Sequence, residues 1–454
     1  MDSLQNFFTN INDILWSTIL LFLLLGTGVY YTFKLRFVQV RKFKSGFMRL
    51  FGGLNLRGKK AGKDGMSSFQ AVATAIAAQV GTGNLAGAAT AIVSGGPGAI
   101  FWMWVSAFFG MSTIYGEAVL AQLFKTKVDG EVTGGPAYYI KNGLKNKKVS
   151  SFLAAFFAVS CILALGFMGN IVQANSISDA FSNAFGVPPL IIGIIVGSLA
   201  GFVFFGGMRR IAAVTEKVVP IMAGGYILAS VILILMNASQ IIPAFKAIII
   251  GAFDPKAIMG GALGITIKEA VRYGVSRGLF SNEAGMGSTP HAHAVAKVKH
   301  PSEQGEVAII SVFIDTFVIL TLTALVILTS GVLENNTING IVVTQKAFES
   351  TLGHFGKGFI AVCLFFFAFS TIIGWYFFGA CNIRYLFGEK GLTPYRILVI
   401  ILVIIGSTLK VELVWELADF FNGIMVIPNL IAVLSLSGLV FKAMNDYEKI
   451  KDQL

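Results

Sequence analysis

Long apolar segments separated by short polar connections constrain this 454-residue chain more than any other feature of its sequence. Hydrophobic residues make up 55% of it and charged residues only 13%, whereas soluble domains carry close to a quarter charged residues. A helix needs about 20 apolar residues to cross the hydrocarbon core of a bilayer. The pattern predicts an all-α integral membrane protein with about eleven transmembrane helices. These spans 1 to 11 lie near residues 14–33, 69–95, 98–124, 152–184, 189–206, 214–236, 258–294, 306–332, 356–386, 395–409 and 413–441.

The first apolar run, at 14–33, is expected to be a genuine helix rather than a cleaved signal. Residues 1–13 contain two acids and no lysine or arginine, unlike the basic start of a secretory signal. Residues 1–33 therefore form an extra amino-terminal helix in this interpretation. The connection that follows, 34–68, is strongly basic.

Basic residues are concentrated in alternate connections between the spans. With eleven spans, 27 of the 35 lysines and arginines fall on one side of the membrane, five on the other, and three within span 7. This distribution accounts for the net charge of +12 without a nucleic-acid partner. Cytoplasmic loops are enriched in lysine and arginine, so the amino terminus is predicted outside and the tail, 442–454, in the cytoplasm.

Two spans are interrupted by the same pattern, Asn-x-Ala-Gly. It occurs at 84–87 in span 2 and at 282–285 in span 7. Five spans separate equivalent positions, so two five-helix units, 69–236 and 258–441, run in opposite directions and form an inverted repeat. In a bilayer, irregular backbone survives only where it is buried in protein or lines a wet cavity. Paired interruptions of this kind are typical of the binding site of a secondary transporter.

The first interruption has the chemistry of a site for a zwitterion and a cation. The half-helix that starts near Asn84 directs its positive dipole end at the gap, which suits a carboxylate. Carbonyl groups freed at the end of the preceding half-helix suit a small cation. The alternative is that Gly81 and Gly83 only permit close packing of helices.

A long stretch between spans 2 and 3 resembles a known family. Residues 95–110, GGPGAIFWMWVSAFFG, are similar to the signature of sodium:alanine symporters, the alanine or glycine:cation symporter family. The segments 169–176, GNIVQANS, and 272–287, RYGVSRGLFSNEAGMG, extend the resemblance over nearly the whole chain. It implies a leucine-transporter-type fold, a 5+5 inverted repeat plus one extra helix. It further implies a carrier of the cell membrane, not an enzyme, that imports alanine or glycine with Na+.

The same resemblance implies the residues of the site. Around the amino acid it places Gly81, Thr82, Gly83, Asn84, Gln173, Ser281, Asn282, Thr371 and Trp375. Around Na+ it places the carbonyls of Ala77 and Val80 and the hydroxyls of Ser370 and Thr371. Alternating access would then come from spans 2, 3, 7 and 8 rocking against the remaining helices.

Several of these side chains also have structural interpretations. The amide of Gln173 suits an interhelical hydrogen bond as well as a substrate contact, because an unpaired amide is costly at this depth. The hydroxyls of Ser370 and Thr371 can bond the carbonyls of their own helix. Trp375 lies one turn after Thr371 on the same face, where it is expected to wall the pocket and limit side-chain size.

Two acids at membrane depth, Glu117 in span 3 and Glu283 in span 7, are functional candidates because buried charge is costly. Either suits proton coupling, which makes a proton-coupled carrier of small amino acids the alternative to Na+ symport. Structural or gating roles are favoured for both, with Arg272 or Arg277 as partners of Glu283. A channel or an embedded enzyme is less favoured, since the four scattered histidines form no catalytic cluster.

Overall fold

Helices account for almost all of the fold in the computed structural model, which describes residues 2–52, 65–254, 266–334, 340–409 and 411–451. We label them in chain order. They are α1 (Gln5–Lys34), α2 (Val38–Arg41), α3 (Phe43–Gly52), α4 (Ser68–Gln79), α5 (Gly83–Gly95), α6 (Gly98–Leu123), α7 (Pro136–Gly143), α8 (Lys147–Phe185), α9 (Pro189–Phe204), α10 (Gly207–Met236), α11 (Ala238–Phe253), α12 (Ile267–Asn282), α13 (Pro290–Ala294), α14 (Pro301–Thr329), α15 (Ile341–Leu352), α16 (His354–Phe387), α17 (Leu392–Gly406), α18 (Val411–Ser435) and α19 (Ser437–Lys451). Short 3₁₀ turns lie at Val332–Glu334 and Glu389–Gly391.

Every predicted span has a helix at its position. Seven helices of the described residues are long and apolar enough to cross a bilayer, and the bent pair α4 and α5 makes an eighth. At predicted spans 5 and 10, α9 and α17 are apolar helices of 16 and 15 residues. The start of predicted span 7, together with 53–64 and 452–454, lies outside the described residues. The number of eleven crossings and the repeat boundaries therefore stay predictions.

Among the described residues, five helices lie in connections for which the hydrophobic pattern predicted none. They are α2 and α3 between α1 and α4, α7 between α6 and α8, α11 between α10 and α12, and α15 between α14 and α16. An added Cβ at Gly98, the first residue of α6, would lie 2.2 Å from the backbone of Gly251 in α11. The absence of a side chain at Gly98 therefore lets α11 pack directly against the start of α6.

The two interrupted spans begin with the same local signal. Ser67 caps α4, and Gln70 three residues later returns a hydrogen bond to the cap residue. Thr266 and Glu269 form the same reciprocal pair at the start of α12. Such capping boxes satisfy amide groups that have no partner inside the helix. Each interrupted span thus has a defined first half before its break.

A short parallel pairing joins the two interrupted spans away from their breaks. Strand β1 (Met66–Ser67) precedes α4 and pairs with β4 (Ala296–Lys297), which follows α13. The amide of Met66 also donates to the carbonyl of Val295 at 2.9 Å. A second pairing, β2 (Thr126–Val128) with β3 (Glu131–Thr133), is an antiparallel hairpin after α6.

Candidate functional site

The break between α4 and α5 is short, and its amide groups are held by neutral side chains. The two helices are bent by 45° across it. The amide N–H of Gly81 donates to Asn84 Oδ1 at 3.0 Å, and that of Thr82 donates to Gln173 Oε1 at 3.0 Å. The Thr82 hydroxyl donates to the same oxygen at 2.6 Å. The side chain of Gln173 therefore makes the interhelical bond that was one of its two expected roles.

Two glycines of this break are required by close contacts. A Cβ on Gly81 would lie 2.3 Å from Thr371 Oγ1, and a Cβ on Gly83 would lie 2.9 Å from Ser281 Cα. Real Cβ atoms do not approach so closely without displacing a neighbour. Gly81 thus brings the break against α16, and Gly83 brings it against the end of α12, where the second break starts.

Four oxygen atoms meet between α4 and α16. Thr371 Oγ1 lies 2.9 Å from the carbonyl oxygen of Ala77 and 3.4 Å from that of Val80. Ser370 Oγ lies 3.3 Å from the carbonyl oxygen of Ala77. Both hydroxyls also bond the carbonyl of Phe367 in their own helix. The four residues predicted to surround Na+ are thereby together, and all four are buried.

The break between α12 and α13 is longer and has unusual backbone. Glu283, Gly285 and Gly287 all have positive φ, at 58°, 91° and 80°. Glycine adopts such values at little cost. Glu283, the residue directly after α12, has a side chain, so its positive φ is energetically costly. Asn282 stabilises the turn, since its Oδ1 accepts from the amide of Ala284 at 3.1 Å.

The carboxylate of Glu117 on α6 holds this second break. Its two oxygens accept from the amides of Gly285 at 2.9 Å and Gly287 at 3.0 Å. Asn429 on α18 donates to Glu117 at 2.6 Å and to the carbonyl of Gly285 at 2.9 Å. The Tyr139 hydroxyl of α7 donates to Asn429 in turn. Glu117 is fully buried, so its charge is stabilised by these donors rather than by water.

Glu283 bonds Trp375, not an arginine. Trp375 Nε1 donates to Glu283 Oε1 at 2.5 Å, and the Ser288 hydroxyl donates to the other oxygen. The arginines proposed as partners pair elsewhere: Arg277 with Asp419 at 2.7 Å and Arg272 with Asp13 at 2.5 Å. The expectation of a Glu283–arginine pair was wrong, because both arginines point at other helices.

The indole of Trp375 is packed on two sides. A Cβ on Gly169 would lie 2.4 Å from the indole ring, and Phe280 meets the ring edge-on at a centroid distance of 5.5 Å. Phe280 in turn packs against Trp415 on α18 at 4.8 Å. Trp375 thus lies one turn after Thr371 and beside the second break.

Asp315 on α14 lies between the two breaks and was missed from the sequence. It is fully buried, and its carboxylate accepts from Asn84 Nδ2 at 2.7 Å and from Ser281 Oγ at 2.9 Å. Thr316 Oγ1 donates to it at 2.8 Å, while Asn282 Nδ2 donates to Thr316 Oγ1 at 3.2 Å. Among the ion pairs of the described residues, none involves Asp315. The sequence feature that could have identified Asp315 is an acid inside the apolar run FIDTFVIL, since acids at membrane depth are functional candidates.

A cavity of about 440 Å³ with both polar and apolar lining lies beside α5. Its lining includes Thr90 of α5, Asn175 of α8, Arg277 of α12 and Trp415 of α18. The two oxygens of Asp419 accept from the guanidinium of Arg277 at 2.7 and 2.8 Å, and this cation also lies over the Trp415 ring at 4.7 Å. The ion pair joins α12 to α18 beside this cavity.

Comparisons with known proteins decide the family. The Sodium:alanine symporter family matches residues 1–454. The chain belongs to the sodium:alanine symporter family. It is therefore an amino acid transporter of the membrane and not an enzyme.

Similar proteins of the family match the chain over nearly its full length. The sodium/alanine symporter AgcS of Methanococcus maripaludis is 42% identical over 446 residues, which cover 97% of each chain. The probable sodium/glutamine symporter GlnT of Bacillus subtilis is 43% identical over 441 residues, 97% of this chain and 90% of that one. Among solved structures, MhsT in complex with L-phenylalanine superposes with a TM-score of 0.61 at 13% identity, covering 86% and 93% of the two chains. This likeness confirms the leucine-transporter-type fold.

Proposed function

We propose that this symporter-family chain imports small neutral amino acids, alanine or glycine, by Na+ symport through alternating access. The observation that carries the proposal is the convergence of the Ala77 and Val80 carbonyls with the Thr371 hydroxyl beside the first break. The membrane is the cell membrane, with the amino terminus outside and the carboxyl terminus in the cytoplasm. The excess of basic residues in alternate connections supports this orientation.

Na+ binds between α4 and α16 in this proposal. The carbonyl groups of Ala77 and Val80 lie at the negative end of α4, which favours a cation. Thr371 Oγ1 lies near both carbonyls and also near that of Phe367, so turning its one hydrogen toward Phe367 would direct a lone pair at an ion between α4 and α16. Bound Na+ would fix the backbone at Val80 and so reduce the cost of ordering the break for substrate. One Na+ entering a polarised cell supplies about 2.3 kcal/mol per 100 mV, more than tenfold accumulation.

The amino acid binds at the first break, with its carboxylate at the positive end of α5. Thr82 and Asn84 hold the backbone there, and Gln173 bonds it from α8. Ser281 and Asn282, the last two residues of α12, complete the amino acid site on the side of that helix. In this proposal the indole of Trp375 limits the size of the amino acid side chain, and the close approach of Gly81 to Thr371 supports a confined site.

The hydroxyl of Thr371 provides the test. We expect Thr371→Val to raise the Na+ concentration that half-saturates alanine uptake by about tenfold, since a polar bond to a charged group contributes about 1.5–3 kcal/mol. Thr371→Ser keeps the hydroxyl and is the matched control. Alanine uptake into proteoliposomes at varied Na+ concentration and constant pH measures the half-saturating Na+ concentration of both variants. An unchanged half-saturating concentration in Thr371→Val would exclude this cation site.

Proton coupling is the second candidate function, and Asp315 is the observation that favours it. Its carboxylate is fully buried and bonded only by neutral donors in the described part of the chain. Like Glu117, Asp315 can keep its charge on neutral donors or take up a proton, and its place between the two breaks suits a proton-coupling group. Proteoliposomes with a pH gradient and no Na+ separate the two functions. Alanine accumulation under that condition supports proton coupling, and accumulation that needs Na+ at constant pH supports the first proposal.

A further inference from the structure

A groove lies where the connection between α7 and α8 meets the bend between α18 and α19. Its volume is about 600 Å³, within the range of sites that hold small ligands. Its walls are apolar: Val149 and Leu153 on α8, Ile431 on α18 and Leu439 on α19. Three of these four side chains are exposed, by 48% for Val149, 39% for Ile431 and 40% for Leu439.

The rim of the groove is basic. Lys145 lines it and is the one charged residue among the described residues that do so. Lys147 and Lys148 follow it in the first turn of α8 and are exposed. Lys442 lies three residues after Leu439 on α19, on the same face of that helix. The groove therefore has apolar walls and a positive rim at one end.

We infer that this groove is a binding site for an anionic phospholipid, with an acyl chain along its walls and the phosphate at its basic rim. Lysines next to a membrane-embedded segment attract anionic lipid. In the orientation proposed above, the rim faces the cytoplasm; the lipid chemistry does not depend on that orientation. Two copies of this chain meeting at this face would bring their lysine rims together, and like charges across an interface oppose association.

The fit of an acyl chain can be tested at a glycine. An added Cβ at Gly438, which lines the groove, would meet no atom within 4 Å. Gly438→Leu therefore fills the groove without a clash in the protein. Gly224→Leu is the matched control, because Gly224 is an exposed glycine of α10 that also has no atom within 4 Å of an added Cβ.

Native mass spectrometry of the full chain, with phosphatidylglycerol and phosphatidylcholine of identical acyl chains, measures binding of individual lipids. We expect tighter binding of phosphatidylglycerol, its loss in Gly438→Leu, and wild-type binding in Gly224→Leu. Lys145→Ala should weaken phosphatidylglycerol binding on the order of fivefold and leave phosphatidylcholine unchanged. Lys390→Ala, an exposed lysine of the Glu389–Gly391 turn, is the control for charge.

Three outcomes would overturn the inference. Equal binding of the two lipids by wild type would remove the role of charge. Unchanged phosphatidylglycerol binding in Gly438→Leu would place the lipid elsewhere. A dimer that Gly438→Leu dissociates would show that a second copy of the chain covers the groove. None of these results bears on the Thr371 experiment, so this inference and the proposed function can fail separately.

Discussion

The two breaks share the sequence Asn-x-Ala-Gly but differ in what holds their backbone. Neutral side chains bond the amides of the first, with Asn84 accepting from Gly81 and Gln173 accepting from Thr82. A carboxylate bonds the amides of the second, where Glu117 accepts from Gly285 and Gly287. The second break therefore already contains an anion from the protein itself.

This difference indicates which break is available to a substrate carboxylate. Amides bonded by a buried carboxylate gain nothing by exchanging it for another anion. Amides bonded by neutral oxygens hold no anion directly, and the carboxylate of Asp315 reaches the first break only through the Asn84 side chain. We therefore propose the first break, rather than the second, for the carboxylate of the amino acid, with the second break as a support beside it.

The largest expected effect comes from forcing the two breaks apart. Gly83→Ala would place a Cβ 2.9 Å from Ser281 Cα, a backbone atom that cannot rotate away. We expect a cost of about 3 kcal/mol and a loss of alanine uptake of more than tenfold. Gly87→Ala is the control, since the nearest atom to its Cβ is Thr82 O at 3.9 Å. Equal uptake by the two variants would show that the breaks do not need this contact.

A smaller effect is expected from removing the charge that supports the second break. Glu117→Gln leaves one acceptor oxygen for three donors, so we expect a loss of about 2 kcal/mol of stability. Thermal unfolding in detergent measures it. Glu216→Gln, a buried carboxylate bonded by Gln70 at 2.8 Å, keeps its acceptor and should shift the melting temperature less. A larger shift in Glu216→Gln would contradict the role given to Glu117.

The smallest effect is expected at the hydrogen bond that joins the breaks directly. Gln79 Nε2, at the end of α4, donates to the carbonyl of Asn282 at 2.7 Å. Gln79→Met keeps the volume and removes this bond, which should cost about 1 kcal/mol. The affinity for alanine and the melting temperature should both fall, whereas Gln240→Met, at an exposed position, should change neither. If Gln79→Met binds alanine as wild type does, the two breaks are not coupled through this bond.

The hydrophobic pattern located the helices and the two interruptions because both are local properties of the sequence. The resemblance to a family brought Ala77, Val80 and Thr371 together, and their oxygens do meet. The connecting helices α2, α3, α7, α11 and α15 were not predicted, since short amphipathic or apolar helices outside a span resemble loops or span ends.

Long-range partners were the part that sequence reasoning could not supply. The bond between Asn84 and Asp315 crosses 231 residues, and the one between Glu117 and Gly285 crosses 168. The second is made to backbone amides, which have the same chemistry at every position. Arg277 was expected to pair with Glu283, but it pairs with Asp419 on α18, 142 residues away along the chain.

The pairing of β1 with β4 reduces the number of parts that can move independently. Main-chain hydrogen bonds join the chain before α4 to the chain after α13, at Met66 with Ala296 and Ser67 with Lys297. Gln122 on α6 adds bonds to the carbonyls of His293 and Ala296 at 2.5 and 3.0 Å. An opening on this side that swung α4 alone would break the ladder. The start of α4 and the end of α13 are thus linked through this ladder, and a displacement of either helix is transmitted to the other.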